Sequence, residues 1–311
     1  MPQGVYKITL IIKTSMTENH KAGFVNIVGN PNVGKSTLMN DLVGERISII
    51  TSKAQTTRHR IMGIVNTEDY QIVFSDTPGV LAPKYKLQES MLGFSEGALT
   101  DADVLLYVTD VVEDPTKNAD YLAKVAKEKA PVLLVINKID LLKEQGDLER
   151  VVALWRNLLP NAEIFPTSAK EHFNVSNLMS RIVELLPVAD PYFGKDALTD
   201  KPARFFVTEI IREKILLNYQ KEVPYSTEVI VEKFDEKEGA IHIMAVIYVE
   251  RDSQKGILIG HGGSMLKKVG MEARKDIEAF FGKKVFLELF VKVEPNWRNR
   301  ENKLKAFGYI E

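Results

Sequence analysis

Residues Gly29–Thr37 read GNPNVGKST, directly after the apolar run FVNIV at Phe24–Val28. A Gly-x-x-x-x-Gly-Lys-Ser pattern placed between a strand and a helix sets the reading of the first half of the chain. Gly29 and Gly34 let backbone N–H groups approach phosphate oxygens across the intervening Asn30, Pro31, Asn32 and Val33, and the N-terminus of the following helix favours negative charge. Lys35 can reach the β and γ phosphates, Ser36 can ligate Mg²⁺, and Thr37 completes the loop. Alone, such a match can be an accidental strand-to-helix turn, so its surroundings carry the weight.

Outward from that loop, strand-like runs alternate with amphipathic helix-like stretches from Phe24 to Leu186. The strands are FVNIVG, RIMGIVN, YQIVFSD, DVLLYVTD, PVLLVIN and EIFPTS. Several are nearly continuous in Val, Ile and Leu, as a strand covered on both faces requires. The expected fold is α/β, a mostly parallel sheet flanked by helices, with ligands bound at the carboxyl ends of the strands. Three polar boxes fall at such ends. Asp76-Thr77-Pro78-Gly79 offers a carboxylate for the magnesium shell and a glycine N–H near a γ phosphate. Asn137-Lys138-Ile139-Asp140 offers the Asp140 carboxylate, which can accept from N1–H and the 2-amino group of guanine, a pair that adenine cannot supply. Ser168-Ala169-Lys170 can close the base pocket through backbone N–H donors.

This ordered set resembles the translation-factor-related class of GTPases over residues 24 to 186. The resemblance implies that the Thr-rich segment ISIITSKAQTTRHRI, residues 47 to 61, is a switch that orders around a γ phosphate. Thr57 is then the magnesium-coordinating threonine and Thr56 the other candidate. Gly79 is followed by Val80, where Ras-type members carry a water-orienting Gln, so intrinsic hydrolysis is expected to be slow or assisted from elsewhere. Asn32 stands where potassium-activated members carry an asparagine. A K⁺ ion there could counter transition-state charge, and a loop-capping Asn is the other reading. The expected catalytic group is therefore Lys35, Thr57, Gly79 and Asn32.

The α/β pattern breaks at LPVADPYFGKDALTDKPA, where Pro187, Pro191 and Pro202 each remove a backbone donor, and a linker is expected over residues 188–203. Beyond it the order is α, β, β, α, glycine loop, α, β. The loop lies in GILIGHGGSML, Gly256–Leu266, as Ile259-Gly260-His261-Gly262-Gly263. It follows no strand and has no Lys before a Ser or Thr, so a second nucleotide loop is excluded. The element order resembles a type II KH domain, whose Gly-x-x-Gly clamps the backbone of about four single-stranded nucleotides. Lys267 and Lys268 follow the loop, and Lys292, Arg298, Arg300, Lys303 and Lys305 outnumber Glu294 and Glu301 towards the end of the chain. Such charge supplies sequence-blind affinity for phosphates. The departure is His261-Gly262 between the outer glycines, where KH loops usually carry Lys or Arg, which weakens the electrostatic contribution near neutral pH.

At 311 residues the chain suits two domains, and 45% hydrophobic with 27% charged residues is ordinary for a globular protein. The absence of cysteine excludes disulfides and thiolate metal sites, and the five scattered histidines suggest no transition metal. No apolar run approaches a membrane span. Residues 1–21 are expected to be a disordered leader, with Met16 a candidate natural start.

One G domain, a proline-bearing linker and a KH domain together resemble the Era family of bacterial ribosome-associated GTPases over about residues 22 to 300, with QTTRHRI and FFVTEIIREKIL adding to the likeness. The resemblance implies a G domain at 22–187, a KH domain at 204–295 and a basic tail at 296–311. It also implies GTP and GDP as ligands, Mg²⁺ as cofactor, and binding to the 3′ end of 16S rRNA during small-subunit assembly. A cytoplasmic monomer is expected, with peripheral association at the inner membrane face as an option that no amphipathic anchor in the sequence supports. A second reading is a passive RNA-binding module holding guanine nucleotide as a structural ligand. The sister family with two tandem G domains is disfavoured, because only one full set of boxes is present.

Overall fold

The computed structural model describes residues 19–310, so the expected leader lies outside the described residues as far as residue 18. The first unit contains β1 (Lys21–Val28), α1 (Lys35–Val43), β2 (Ile61–Asn66), β3 (Tyr70–Asp76), α2 (Lys86–Thr100), β4 (Val104–Asp110), α3 (Ala119–Val125), β5 (Val132–Asn137), α4 (Gln145–Leu158), β6 (Glu163–Pro166) and α5 (Val175–Leu185). Its sheet runs β2-β3-β1-β4-β5-β6. Only β2 is antiparallel to its neighbour. β4 explains the continuous apolar runs: Val104, Leu106 and Val108 pack towards α1 and α5, while Leu105 and Tyr107 pack towards α2, α3 and α4. A strand covered on both faces has no polar side to show.

The linker is laid along the edge of this sheet. The Ile64 N–H on β2 donates to the Leu198 carbonyl at 2.9 Å. The buried Gln71 amide donates to Phe193 O at 2.8 Å, and its oxygen accepts from the Tyr192 and Phe193 amides. Outer-edge donors of β2 are thereby satisfied, as buried or edge backbone demands.

The second unit is α6 (Ala203–Asn218), β7 (Glu228–Lys237), β8 (Ala240–Val249), α7 (Asp252–Ile259), α8 (Ser264–Phe281) and β9 (Lys284–Val293). β7 pairs antiparallel and β9 parallel with β8. Val207, Ile211 and Ile215 of α6 and Val269, Ala273 and Ile277 of α8 close one face of this sheet. Helix α6 also buries Glu209, Arg212, Glu213 and Lys214, because its other side meets the first unit.

Contacts between the units include a buried ion pair and an apolar cluster. In the first, the fully buried Arg58 donates to Thr227 O at 2.7 Å and pairs with Glu228 at 3.1 Å. The second corrects the expectation of a basic tail at 296–311: Trp297–Asn299 form a 3₁₀ turn and α9 (Glu301–Ala306) follows. Trp297, Leu304 and Tyr309 are buried against Leu87 and Met91 of α2. Four of the five bases counted towards the end of the chain are paired: Lys292 with Glu232, Arg298 with Glu250, and both Arg300 and Lys303 with Glu294. Lys305 is left without an ion-pair partner among the described residues.

Arg58→Ala is expected to lower the unfolding free energy by about 3–5 kcal/mol in urea titrations, since Glu228 would remain as an uncompensated buried charge. Adding Glu228→Gln should recover part of that loss. Lys86→Ala, which breaks an exposed pair with Glu301, should leave the midpoint where it is.

Candidate nucleotide pocket and nucleic-acid groove

The loop after β1 and the segment before β2 enclose a cavity of about 410 Å³, lined among others by Asn32, Gly34, Lys35, Ser36, Thr37, Thr57, Gly79 and Lys138. Its floor is tightly made. A Cβ on Gly79 would lie 2.6 Å from Pro31 Cα, so only glycine allows the box after β3 to close against the loop. The Val80 N–H then donates to Gly29 O at 3.1 Å.

Lys35 is buried and its Nζ donates to the carbonyls of Gly29 and Asn30 at 3.1 and 2.8 Å. Burial pushes its ammonium down to about 8, against the pull of Asp76 and Glu113. Asp76 is fully buried, and burial raises its carboxyl above the ordinary range. Ser36 Oγ donates to Asp76 Oδ2 at 2.6 Å and lies 2.9 Å from Thr57 Oγ1. Asp76 Oδ1 has no hydrogen-bond partner among the described residues. An orphaned carboxylate oxygen beside two converging hydroxyls fits a hard cation with oxygen ligands. These contacts bring Ser36, Thr57 and Asp76 together; Thr56 instead turns to Thr51, with 2.6 Å between their hydroxyls.

Several other residues of the boxes shape the pocket without lining the cavity. Val33 is buried in the core. Thr77 Oγ1 donates to Ile27 O at 2.8 Å, and Pro78 O accepts from Ser95 at 2.7 Å. Asn30 turns away to Glu113 and Asn118. Asn137 donates to Val33 O at 3.0 Å and accepts from the Ala169 amide at 3.0 Å, so it braces the phosphate loop against the Ser168-Ala169-Lys170 turn. Of the three amides expected to meet the base, Ser168 and Ala169 are already engaged. That of Lys170 has no partner among the described residues. Asp140 is exposed and accepts from Ser168 Oγ at 2.6 Å. Lys138 lies along the loop, donating to Asn32 O and pairing with Asp110 at 2.7 Å. Asn32 itself has φ +66° and an exposed side chain.

In the second unit, Gly260 sits at φ +73°, and a Cβ there would come within 2.7 Å of Met265 Cγ. Gly262 and Gly263 are also left-handed, and His261 is exposed. A groove of about 370 Å³ runs from Gly263 along Lys267, Gly270 and Arg274 of α8 to Leu287 and Leu289 of β9. Lys267 therefore faces the groove and Lys268 does not; Lys268 lies 3.9 Å from Glu272. Ile259 packs into the core. Arg274, which the sequence reading passed over, is the further base on the groove wall, two helical turns after Lys267 on the same face.

These two sites define a P-loop GTPase joined to an RNA-binding KH domain. Residues 24–138 match the family model described as 50S ribosome-binding GTPase, and residues 222–298 match that of the KH domain. The GTPase Era of Geotalea daltonii is 46% identical over 297 residues, covering 94% of this chain and all of that protein. A variant of Aquifex aeolicus Era bound to GDP·AlF₄⁻ superposes with TM-score 0.89 at 38% identity. An Era in complex with MgGDPNP and nucleotides 1506–1542 of 16S ribosomal RNA does so with TM-score 0.90 at 38% identity. Each structure covers 94% of this chain and all of its own. The chain belongs to the Era family and is a GTPase.

The depressed Lys35 sets a pH dependence. Phosphate oxygens favour its charged form, so below pH 7 the lysine is ready and this group adds no slope. Above pH 8 the free protein has lost the proton and must regain it on binding. Affinity for GDP should fall between pH 7 and pH 8.8, and calorimetry at pH 8.5 in buffers of different ionisation heat should record proton uptake. Uptake of zero would contradict the assignment.

Proposed function

We propose that the chain is a GTP-hydrolysing switch that binds the 3′ region of 16S rRNA through its KH groove and acts in assembly of the small ribosomal subunit. The observation that carries it is one chain holding both the Lys35-Ser36-Thr57 cavity and the groove that runs from Gly263 along Lys267 and Arg274, in the arrangement of a relative solved with a GTP analogue and that RNA. Lys35 meets the β and γ phosphates, the Gly34 and Ser36 amides cradle them, and Asp140 accepts from guanine. Ser36 and Thr57 would hold Mg²⁺, with Asp76 in its outer shell. The ion supplies charge neutralisation between the phosphates. We assign Asn32 to a K⁺ site, because its side chain borders the cavity and has no hydrogen bond among the described residues. Gly260, His261, Gly262 and Gly263 approach RNA phosphates, while Lys267 and Arg274 supply charge along the groove.

The proposed setting is the cytoplasm, where ribosomal subunits are assembled, with the chain acting as a monomer. No helix among the described residues is long and apolar enough to cross a membrane.

Steady phosphate release from GTP should be abolished by Lys35→Ala and should be faster in K⁺ than in Na⁺. Equal rates in the two salts would remove the role given to Asn32. Affinity for an oligonucleotide of the 16S 3′ end should differ between GDPNP-bound and GDP-bound protein. Crosslinking in lysate that enriches RNA from elsewhere would overturn the choice of partner.

A further inference from the structure

Hydrolysis needs a polar group to hold the attacking water, and the position after Gly79 is taken by Val80, which has none. The chain places a different carboxamide in the same cavity. Gln55, two residues before Thr57, lines it together with Lys35, Ser36 and Gly79. Its backbone is left-handed, φ +58°, a conformation uncommon for a residue with this side chain. It is held there from both sides. Arg212 of α6 donates to the Gln55 and Thr56 carbonyls at 3.3 and 3.1 Å. Tyr85, the residue that opens α2, donates from its hydroxyl to Gln55 Oε1 at 2.9 Å.

We propose that Gln55 is the water-positioning residue of this GTPase, supplying from the segment before β2 the polar group that Val80 lacks after β3. Tyr85 uses one lone pair of Oε1. The other lone pair remains to accept a hydrogen bond from the water, and both Nε2 donors remain to meet the water or a γ-phosphate oxygen. In the step it serves, the water oxygen bonds to the γ phosphorus as the bond from that phosphorus to the β–γ bridging oxygen breaks. The electron pair leaves on GDP, and the water proton ends on the inorganic phosphate released. Gln55 orients the water and exchanges no proton, since a carboxamide is neither an acid nor a base near neutral pH.

Tyr85 ties this group to the RNA-binding half. The Arg298 guanidinium lies over its ring, 4.5 Å from the centroid, and Arg298 is paired with Glu250 at the start of the turn into α7. Tyr85 is therefore a positioning residue, acting through Gln55.

The inference rests on the GTPase reading, and the variants separate the two. Gln55→Gly accepts the left-handed backbone more readily than glutamine, so loss of folding is not expected. Gln55→Glu keeps the acceptor for Tyr85 and loses both donors. In single-turnover assays each should hydrolyse GTP about 100-fold more slowly, the order expected for a placed polar group in the transition state. Affinity for GDPNP should stay within about threefold, while capture of GDP·AlF₄⁻, the transition-state mimic, should be lost. Tyr85→Phe should fall between these variants and the unsubstituted protein. Hydrolysis by Gln55→Gly at the unsubstituted rate would overturn the proposal, as would a loss of GDPNP affinity matching the loss of rate. Lys35→Ala, by contrast, should lose nucleotide binding itself.

Discussion

The arrangement of the two units depends on one buried carboxylate. Glu228, at the first position of β7, is almost wholly removed from solvent, and its Oε2 receives both the Arg58 guanidinium at 3.1 Å and the Tyr309 hydroxyl at 2.7 Å. Burial raises its carboxyl, against the opposing pull of Arg58 and Arg212. A carboxylate in that position is tolerable only while its donors stay in place, because an unpaired buried charge costs far more than a pair returns. The first donor comes from the segment that borders the nucleotide cavity, the second from the far end of the chain. Arg58 follows Thr57 directly, and Tyr309 belongs to the C-terminal segment packed on α2, the helix that follows Asp76–Gly79.

Thr57 and Arg58 are adjacent in the chain and face opposite ways, one towards Ser36 and Asp76, the other into the KH half. The consequence is that no segment of several residues separates nucleotide contact from interdomain contact. The neighbouring bonds agree in direction: Lys53 donates to the Leu216 and Tyr219 carbonyls at the end of α6, and Arg46 pairs with Glu213 at 2.5 Å. Rearrangement of this segment therefore requires these bonds to break or move together, which suits a change between discrete states better than gradual yielding.

Much of this was legible in the sequence. Strand positions followed from continuous Val, Ile and Leu, and the phosphate loop, its partner boxes and the Gly-x-x-Gly were fixed by spacing within a few residues. The junction was not legible, for a physical reason. Arg58 and Glu228 are 170 positions apart, and pairing at that distance leaves no periodic trace. Arg212, Glu213 and Lys214 are of types that usually stay solvated, yet they are buried, because α6 has an apolar face for one unit and a charged face for the other. Lys292 and Arg298 read as surplus charge for the same reason, since their partners Glu232 and Glu250 come from elsewhere in the chain. Asn137 braces the phosphate loop against the Ser168-Ala169-Lys170 turn, a role in shaping the pocket that residue type alone does not reveal.

A charged junction also differs in kind from an apolar one of the same size. Apolar faces slide at modest cost, since dispersion and burial depend weakly on register. Guanidinium hydrogen bonds to carbonyls and a carboxylate are directional, so a shift of an ångström or two leaves donors and acceptors unmatched away from water. The apolar part, Trp297, Leu304 and Tyr309 on Leu87 and Met91, holds the halves together. The polar part around Glu228 selects which relative placement is held. Because coupling between two binding sites is reciprocal, any RNA that favours one placement at the KH groove must bias the segment carrying Thr57 by the same free energy with which nucleotide at that segment biases the groove.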